Sequence, residues 1–105
     1  MAIVVHAARA TRDWWRAGVF RGDRMYHVLS DTLGVAGSDE LVAFVTAYGM
    51  RREWVQYRGT YREHFDARAD EGARMIADGA RQVTNRELGE LLARKRATLA
   101  GRGES

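Results

Sequence analysis

The alternation of apolar and polar positions divides the chain into short elements. Residues 2–6 contain the β-branched run Ile3-Val4-Val5, too short for a helix and suited to a strand buried on both faces. Residues 7–26 show no period: Trp14, Trp15, Gly18, Phe20 and Gly22 lie among charged residues. This stretch reads as a loop with a short helix over 7–17. Its tryptophans either cover the sheet or form a lid or an aromatic platform for a ring-shaped ligand. After a turn at 33–37 comes the best-defined helix. Ser38 is its expected N-cap, Asp39 and Glu40 fill its first turn, and Leu41, Phe44, Val45 and Tyr48 share one face before Gly49 ends it.

Trp54-Val55-Gln56-Tyr57 reads as a second strand. A polar connection over 58–63 leads to a second helix starting near Asp66. Its buried side is assigned to Ala69, Ala73, Ile76, Ala77 and Ala80, with Gly79 at its end. Residues 81–84 form a minimal third strand. Thr84 and Glu87 then have the spacing of a capping box, ahead of a stripe of Leu88, Leu91, Leu92 and Leu99. Arg94, Lys95 and Arg96 fall near the end of this last helix, where its dipole favours cations. The order strand, helix, strand, helix, strand, helix predicts an α/β fold. The expected form is a small three-layer domain with a three-stranded, mostly parallel sheet and three or four helices. One domain is expected over residues 1–100, with 101–105 as a frayed tail.

Composition narrows the function classes. The 105 residues include no Cys, so neither a disulfide framework nor a thiolate zinc site is available. No apolar run approaches the ~20 residues of a membrane span, and the N-terminus lacks the pattern of a signal peptide. A cytoplasmic protein of bacterial or phage origin fits this. The net charge of +3 rests on arginines and the single Lys95. It is split along the chain, about +2 over 1–37, −2 over 38–79 and +3 over 80–105. No block is basic enough to read as a nucleic-acid interface. Arginine does suit phosphate, because its planar fork donates in pairs.

The chemistry-bearing residues cluster in two stretches, His27-Val28-Leu29-Ser30-Asp31 and His64-Phe65-Asp66. On a helical turn His27 and Asp31 would share a face, the carboxylate fixing the imidazole's tautomer and raising its basicity. His64 and Asp66, two apart in an extended segment, point the same way. Together they offer two imidazoles and two carboxylates, a set suited to Mn²⁺, Zn²⁺ or Fe²⁺ or to acid–base work on a phosphoester, with Arg58 or Arg62 neutralising phosphate. The bland reading has Asp31 and Asp66 as caps. At the carboxyl ends of parallel strands, where α/β domains bind ligands, the predicted order also delivers His6, Arg58, Thr84, Asn85 and Arg86. There is no Gly-rich phosphate loop, no H-E-x-x-H and no G-x-S-x-G, and Ser30 is the one plausible nucleophilic serine.

Several short motifs occur in a fixed order: His27-x-x-Ser30-Asp31-Thr32, Asp39-Glu40-Leu41-x-x-Phe44, Arg52-x-Trp54-x-Gln56, His64-Phe65-Asp66, Gly79-Ala80 and Arg86-Glu87-Leu88. Over roughly residues 2–92 the chain resembles domain of unknown function 4031, an uncharacterised family of short bacterial and phage proteins. That family usually shows His-Tyr-Asp where this chain has His64-Phe65-Asp66, and an acidic residue ending the first strand where this chain has His6. The resemblance supports the site positions rather than a reaction.

Three functions compete. The first is a binding module for a nucleotide or other phosphate-bearing anion at the carboxyl edge of the sheet. Trp54 or Trp14 would stack on a base, and Arg58, His64 and His27 would meet phosphate. The second is a metal-dependent phosphoester hydrolase using His27, Asp31, His64 and Asp66 as metal ligands or as base and acid. The third is an interaction protein in which Trp14, Trp15 and Phe20 form a partner surface or homo-oligomer seam.

Overall fold

The computed structural model describes residues 3–15 and 18–101, and side chains through Leu99. Two long strands, β1 (Ile3–Arg9) and β2 (Arg24–Ser30), form an antiparallel hairpin at the centre of the sheet. Helix α1 (Gly34–Thr46) and a 3-10 turn (Arg52–Trp54) follow. Then come β3 (Phe65–Arg68), α2 (Ala69–Ala77), β4 (Arg81–Val83) and α3 (Asn85–Gly101). The sheet order is β3-β2-β1-β4. β3 joins β2 antiparallel and β4 joins β1 parallel, so the sheet is four-stranded, mixed and mostly antiparallel rather than three-stranded and mostly parallel. The α/β class holds.

Two of the four strands, β3 and the longer β2, are not among those expected from the sequence; β2 comes first in the chain. It lies between two neighbours and buries Met25, Val28, Leu29 and Ser30, so no polar-out alternation marks it, and His27 interrupts its apolar run. β1 also runs further than the apolar run implied. Ala7–Arg9 is strand where a helix over 7–17 was expected, and the last two residues of that expected helix, 16 and 17, lie outside the described residues. The β1–β2 connection is itself a narrow arm in which the Trp14 N–H donates to Val19 O at 2.6 Å.

Two more expectations fail at the next strand. Trp54–Tyr57 does not enter the sheet. After the 3-10 turn only Gln56 pairs, with His64, and Tyr57 at φ 55° breaks the extended run. Residues 66–68, expected as the start of the second helix, belong with Phe65 to β3: Phe65 and Ala67 are fully buried, while Asp66 and Arg68 face the other way. Four residues are too few to show a period of two next to an Ala-rich helix. α2 therefore starts at Ala69. It buries Glu71, Gly72 and Met75, whereas Ala69, Ala73 and Ala77 are exposed. Gly72 is needed for close approach, since a Cβ there would sit 2.0 Å from Tyr26 Cδ2.

One sheet face packs Ile3, Val5, Val28, Phe65 and Ala67 against α1 and α2. The other packs Val4, Leu29 and Val83 under Leu88, Leu91 and Leu92 of α3. This is a three-layer arrangement. The capping box at α3 is present: Thr84 N–H donates to Glu87 Oε1 at 3.0 Å and Glu87 N–H to Thr84 Oγ1 at 3.1 Å. α1 begins one turn before Ser38, so Ser38 caps nothing and Asp39 and Glu40 lie beyond the first turn. The Ser38 hydroxyl instead donates to Glu63 at 2.5 Å. Lys95 is not a surface cation serving the helix dipole. It is buried and donates to Ser30 O at 2.9 Å. Burial holds its ammonium below the ordinary lysine range, against the opposing pull of Glu63 and Asp31. The expected frayed tail largely lies outside the described residues, and Gly101 is still helical.

Candidate metal centre

Strand register builds the site. On the face carrying α3, Val83, His6, His27 and Asp66 form one row across the four strands, set by the pairs Val83–His6, His6–His27 and His27–Asp66. His64 joins the row because its bridge to Gln56 holds it two residues before Asp66, on the same face. α3 covers the sheet on one side of this row, and Trp14 of the hairpin arm covers Val19 and Met25 on the other. His27, His64 and Asp66 of this row line a cleft of about 420 Å³ together with Arg9, Arg12, Trp14, Tyr57 and Arg62, while His6 and Val83 line a separate hollow. The site is on a sheet face, not at the carboxyl ends of parallel strands.

His27 and His64 have ring centres 5.1 Å apart. Asp66 Oδ1 lies 3.4 Å from His64 Nε2 and 3.9 Å from His27 Nε2. That oxygen is buried and has no hydrogen-bond partner, while Gln56 Nε2 donates to the other carboxylate oxygen at 2.5 Å. A buried carboxylate oxygen left this way costs stability unless a cation or proton meets it.

The hydrogen bonds around the imidazoles decide where their lone pairs point. His64 Nδ1 donates to Arg62 O at 2.7 Å, which leaves Nε2 as the acceptor atom of the neutral ring. His6 Nε2 donates to the Asn85 carboxamide oxygen, so His6 Nδ1 carries a lone pair. His27 Nδ1, 3.2 Å from that atom, must then donate to it, and His27 Nε2 is left bare. Both Nε2 lone pairs face Asp66 Oδ1.

Three electron-rich atoms thus converge, all within 4.8 Å of one another. Ligands at ~2.1 Å from one ion sit roughly 3–3.5 Å apart. The Asp66–His64 distance meets this, and rotation of an imidazole closes the rest. Two imidazoles and one carboxylate are a donor set suited to a divalent transition metal. His6 and Asn85 stand behind His27 as the partners that orient it.

The His27 preference agrees with this geometry, whereas that of Asp66 draws on a hydrogen bond and charge attraction from His64 that a proton on His64 Nε2 would supply. Burial pushes the His27 imidazolium down, helped by neighbouring His64 and His6 and opposed by Asp66, so the ring favours its neutral form. Burial raises the Asp66 carboxyl, but His64, Gln56 and His27 outweigh it and hold the group below its ordinary value.

Of the residues read from the sequence, His27, His64 and Asp66 converge, with His6 and Asn85 behind them. Asp31 does not join His27: His27 lies in the extended β2 and Asp31 in the bend after its end, so no helical turn brings them together, and Asp31 acts on Lys95 instead. Ser30 is buried, its hydroxyl accepting from Thr32 N–H at 3.0 Å. Trp54 packs with the α1–α2 core. Arg58 is exposed and does not line the cleft. Thr84 caps α3, and Arg86 pairs with Glu90 at 3.1 Å. Gln56, Tyr57, Arg9 and Arg12 also line the cleft, and no local pattern marks them as site residues. The register of Gln56 with His64 was the missing information, because only the fold supplies it.

No curated protein and no solved structure matches the chain. One family model does, over residues 13–95, a span that holds His27, Gln56, His64 and Asp66 but not His6. The chain therefore belongs to the family described as Protein of unknown function (DUF4031).

Proposed function

We propose that this protein is a divalent-metal-dependent hydrolase of phosphoesters, its ion held by His27 Nε2, His64 Nε2 and Asp66 Oδ1. The observation that carries this reading is the convergence of two bare imidazole nitrogens on a buried, unpartnered carboxylate oxygen. A bound ion would supply Lewis acidity to a phosphoryl oxygen. The chain's own groups bind and orient. Arg62 and Arg12 face the cleft and can neutralise phosphate charge, and Gln56 holds Asp66 so that Oδ1 rather than Oδ2 faces the imidazoles.

One observation favours a second reading, a metal-dependent binding module without turnover. Among the described residues that line the cleft, Asp66 is the one carboxylate, and as a ligand it is not free to serve as a general base. Two measurements decide. Calorimetric titration of chelator-treated protein with Mn²⁺ and Zn²⁺ is expected to show one site per chain, lost in His64→Ala. The loaded protein is then expected to hydrolyse p-nitrophenyl phosphate or its bis-ester. Absence of metal uptake rejects both readings, and uptake without turnover of either ester leaves the binding module.

A further inference from the structure

We infer that the ligand of this centre carries two or more phosphate groups in series, the chemistry shared by nucleoside polyphosphates and nucleic-acid strands. This rests on the metal-centre reading above. The supporting observation is the lining of the cleft itself, where three arginines of the described residues gather, each held by neutral groups. Arg9 donates to Gly22 O at 3.1 Å. Arg12 donates to Gln56 Oε1 at 3.4 Å and lies 5.5 Å from the Trp14 ring centre. Arg62 lies 4.0 Å from the Tyr57 ring centre. Carbonyls and rings fix a guanidinium in place without cancelling its charge.

The charge then has to be met by the ligand. A divalent ion and three guanidiniums against the single carboxylate leave a formal charge of about +4 at the cleft. One orthophosphate near neutral pH offsets only part of that, and two or three linked phosphates offset most of it. Arg9 and Arg12 come from the hairpin and Arg62 from the 56–64 segment, with the Arg12 guanidinium reaching across to Gln56. The cleft volume, about 420 Å³, falls in the range of about 300–1,000 Å³ found for sites of small organic ligands.

The test begins with Mn²⁺ titration of phosphate-free protein. Orthophosphate, pyrophosphate, ADP and a short single-stranded oligodeoxynucleotide are then titrated separately at fixed free Mn²⁺, followed by tryptophan fluorescence. Pyrophosphate is expected to bind at least about tenfold more tightly than orthophosphate. Arg12→Gln and Arg62→Gln are each expected to weaken pyrophosphate about tenfold with Mn²⁺ uptake unchanged. ADP binding more tightly than pyrophosphate identifies a nucleotide ligand, and an oligonucleotide binding most tightly identifies a strand; both support the inference. Equal affinity for orthophosphate and pyrophosphate, or indifference to both arginine substitutions, overturns it while leaving the metal centre standing. Failure of the first titration instead removes the metal-centre reading, and the inference with it.

Discussion

Asn85 touches no proposed metal ligand, yet the tautomer argument makes metal affinity depend on it. Its carboxamide oxygen accepts from His6 Nε2, which forces His6 Nδ1 to accept from His27 and so exposes the His27 Nε2 lone pair. In Asn85→Leu that bias is gone. A hydrogen bond of this kind is worth about 1 kcal/mol net, roughly fivefold in the population of the competent tautomer. Loss of ring orientation adds to this, and replacing such outer partners generally costs 10–100-fold in affinity. The expected weakening of Mn²⁺ binding is thus about tenfold or somewhat more, equivalent to ~1.4 kcal/mol. Asn85→Asp can only accept, so it should bind as tightly as the wild type or more tightly. The assay is calorimetric titration of all three proteins at pH 7.5, with metal-free thermal unfolding as the control. Asn85 is exposed and the α3 cap belongs to Thr84 and Glu87, so the melting temperatures should stay close. Wild-type affinity in Asn85→Leu, or an Asn85→Asp variant weaker than Asn85→Leu, refutes the relay.

Other outcomes follow from the same geometry. Asp66→Asn should abolish metal uptake yet stabilise the metal-free protein at pH 8 by about 1 kcal/mol, because the new amide N–H group can donate to the bare imidazole nitrogens; an unchanged or lowered melting temperature in chelator contradicts this. Metal affinity should fall on acidification as protons compete for the imidazoles. His27 should resist this to a pH below the ordinary imidazole value of 6.5, since burial depresses its pKa. The same shift carries a stability sign. The unfolded chain binds the His27 proton more readily than the folded one, so the metal-free fold loses stability as pH drops through and below about 6.5. Denaturant melts between pH 8 and 5 check the direction, and a gain in stability toward acid would refute it. Gly72→Ala should destabilise by roughly 1–3 kcal/mol despite alanine's better helix propensity, through the clash with Tyr26; a stabilised variant in urea unfolding shows that the ring can move.

The sequence by itself determined what local spacing can encode. The α1 and α3 stripes, the Thr84–Glu87 cap and the α/β class follow from periodicity and capping chemistry within a few residues. The candidate site stretches around His27 and His64 were also legible, because imidazoles beside carboxylates stand out in any context. Tertiary structure decided the rest, because pairing is non-local. Whether Phe65–Arg68 is strand or helix depends on β2 lying beside it, and β2 hides its own identity by being buried between two neighbours. Which carboxylate meets His27 was settled the same way. Asp31 is four residues away in the chain, but extended backbone carries it off, while sheet register places Asp66, thirty-nine positions further on, directly opposite. Cross-strand neighbours lie about 5 Å apart whatever their separation in sequence, and no local pattern records that distance.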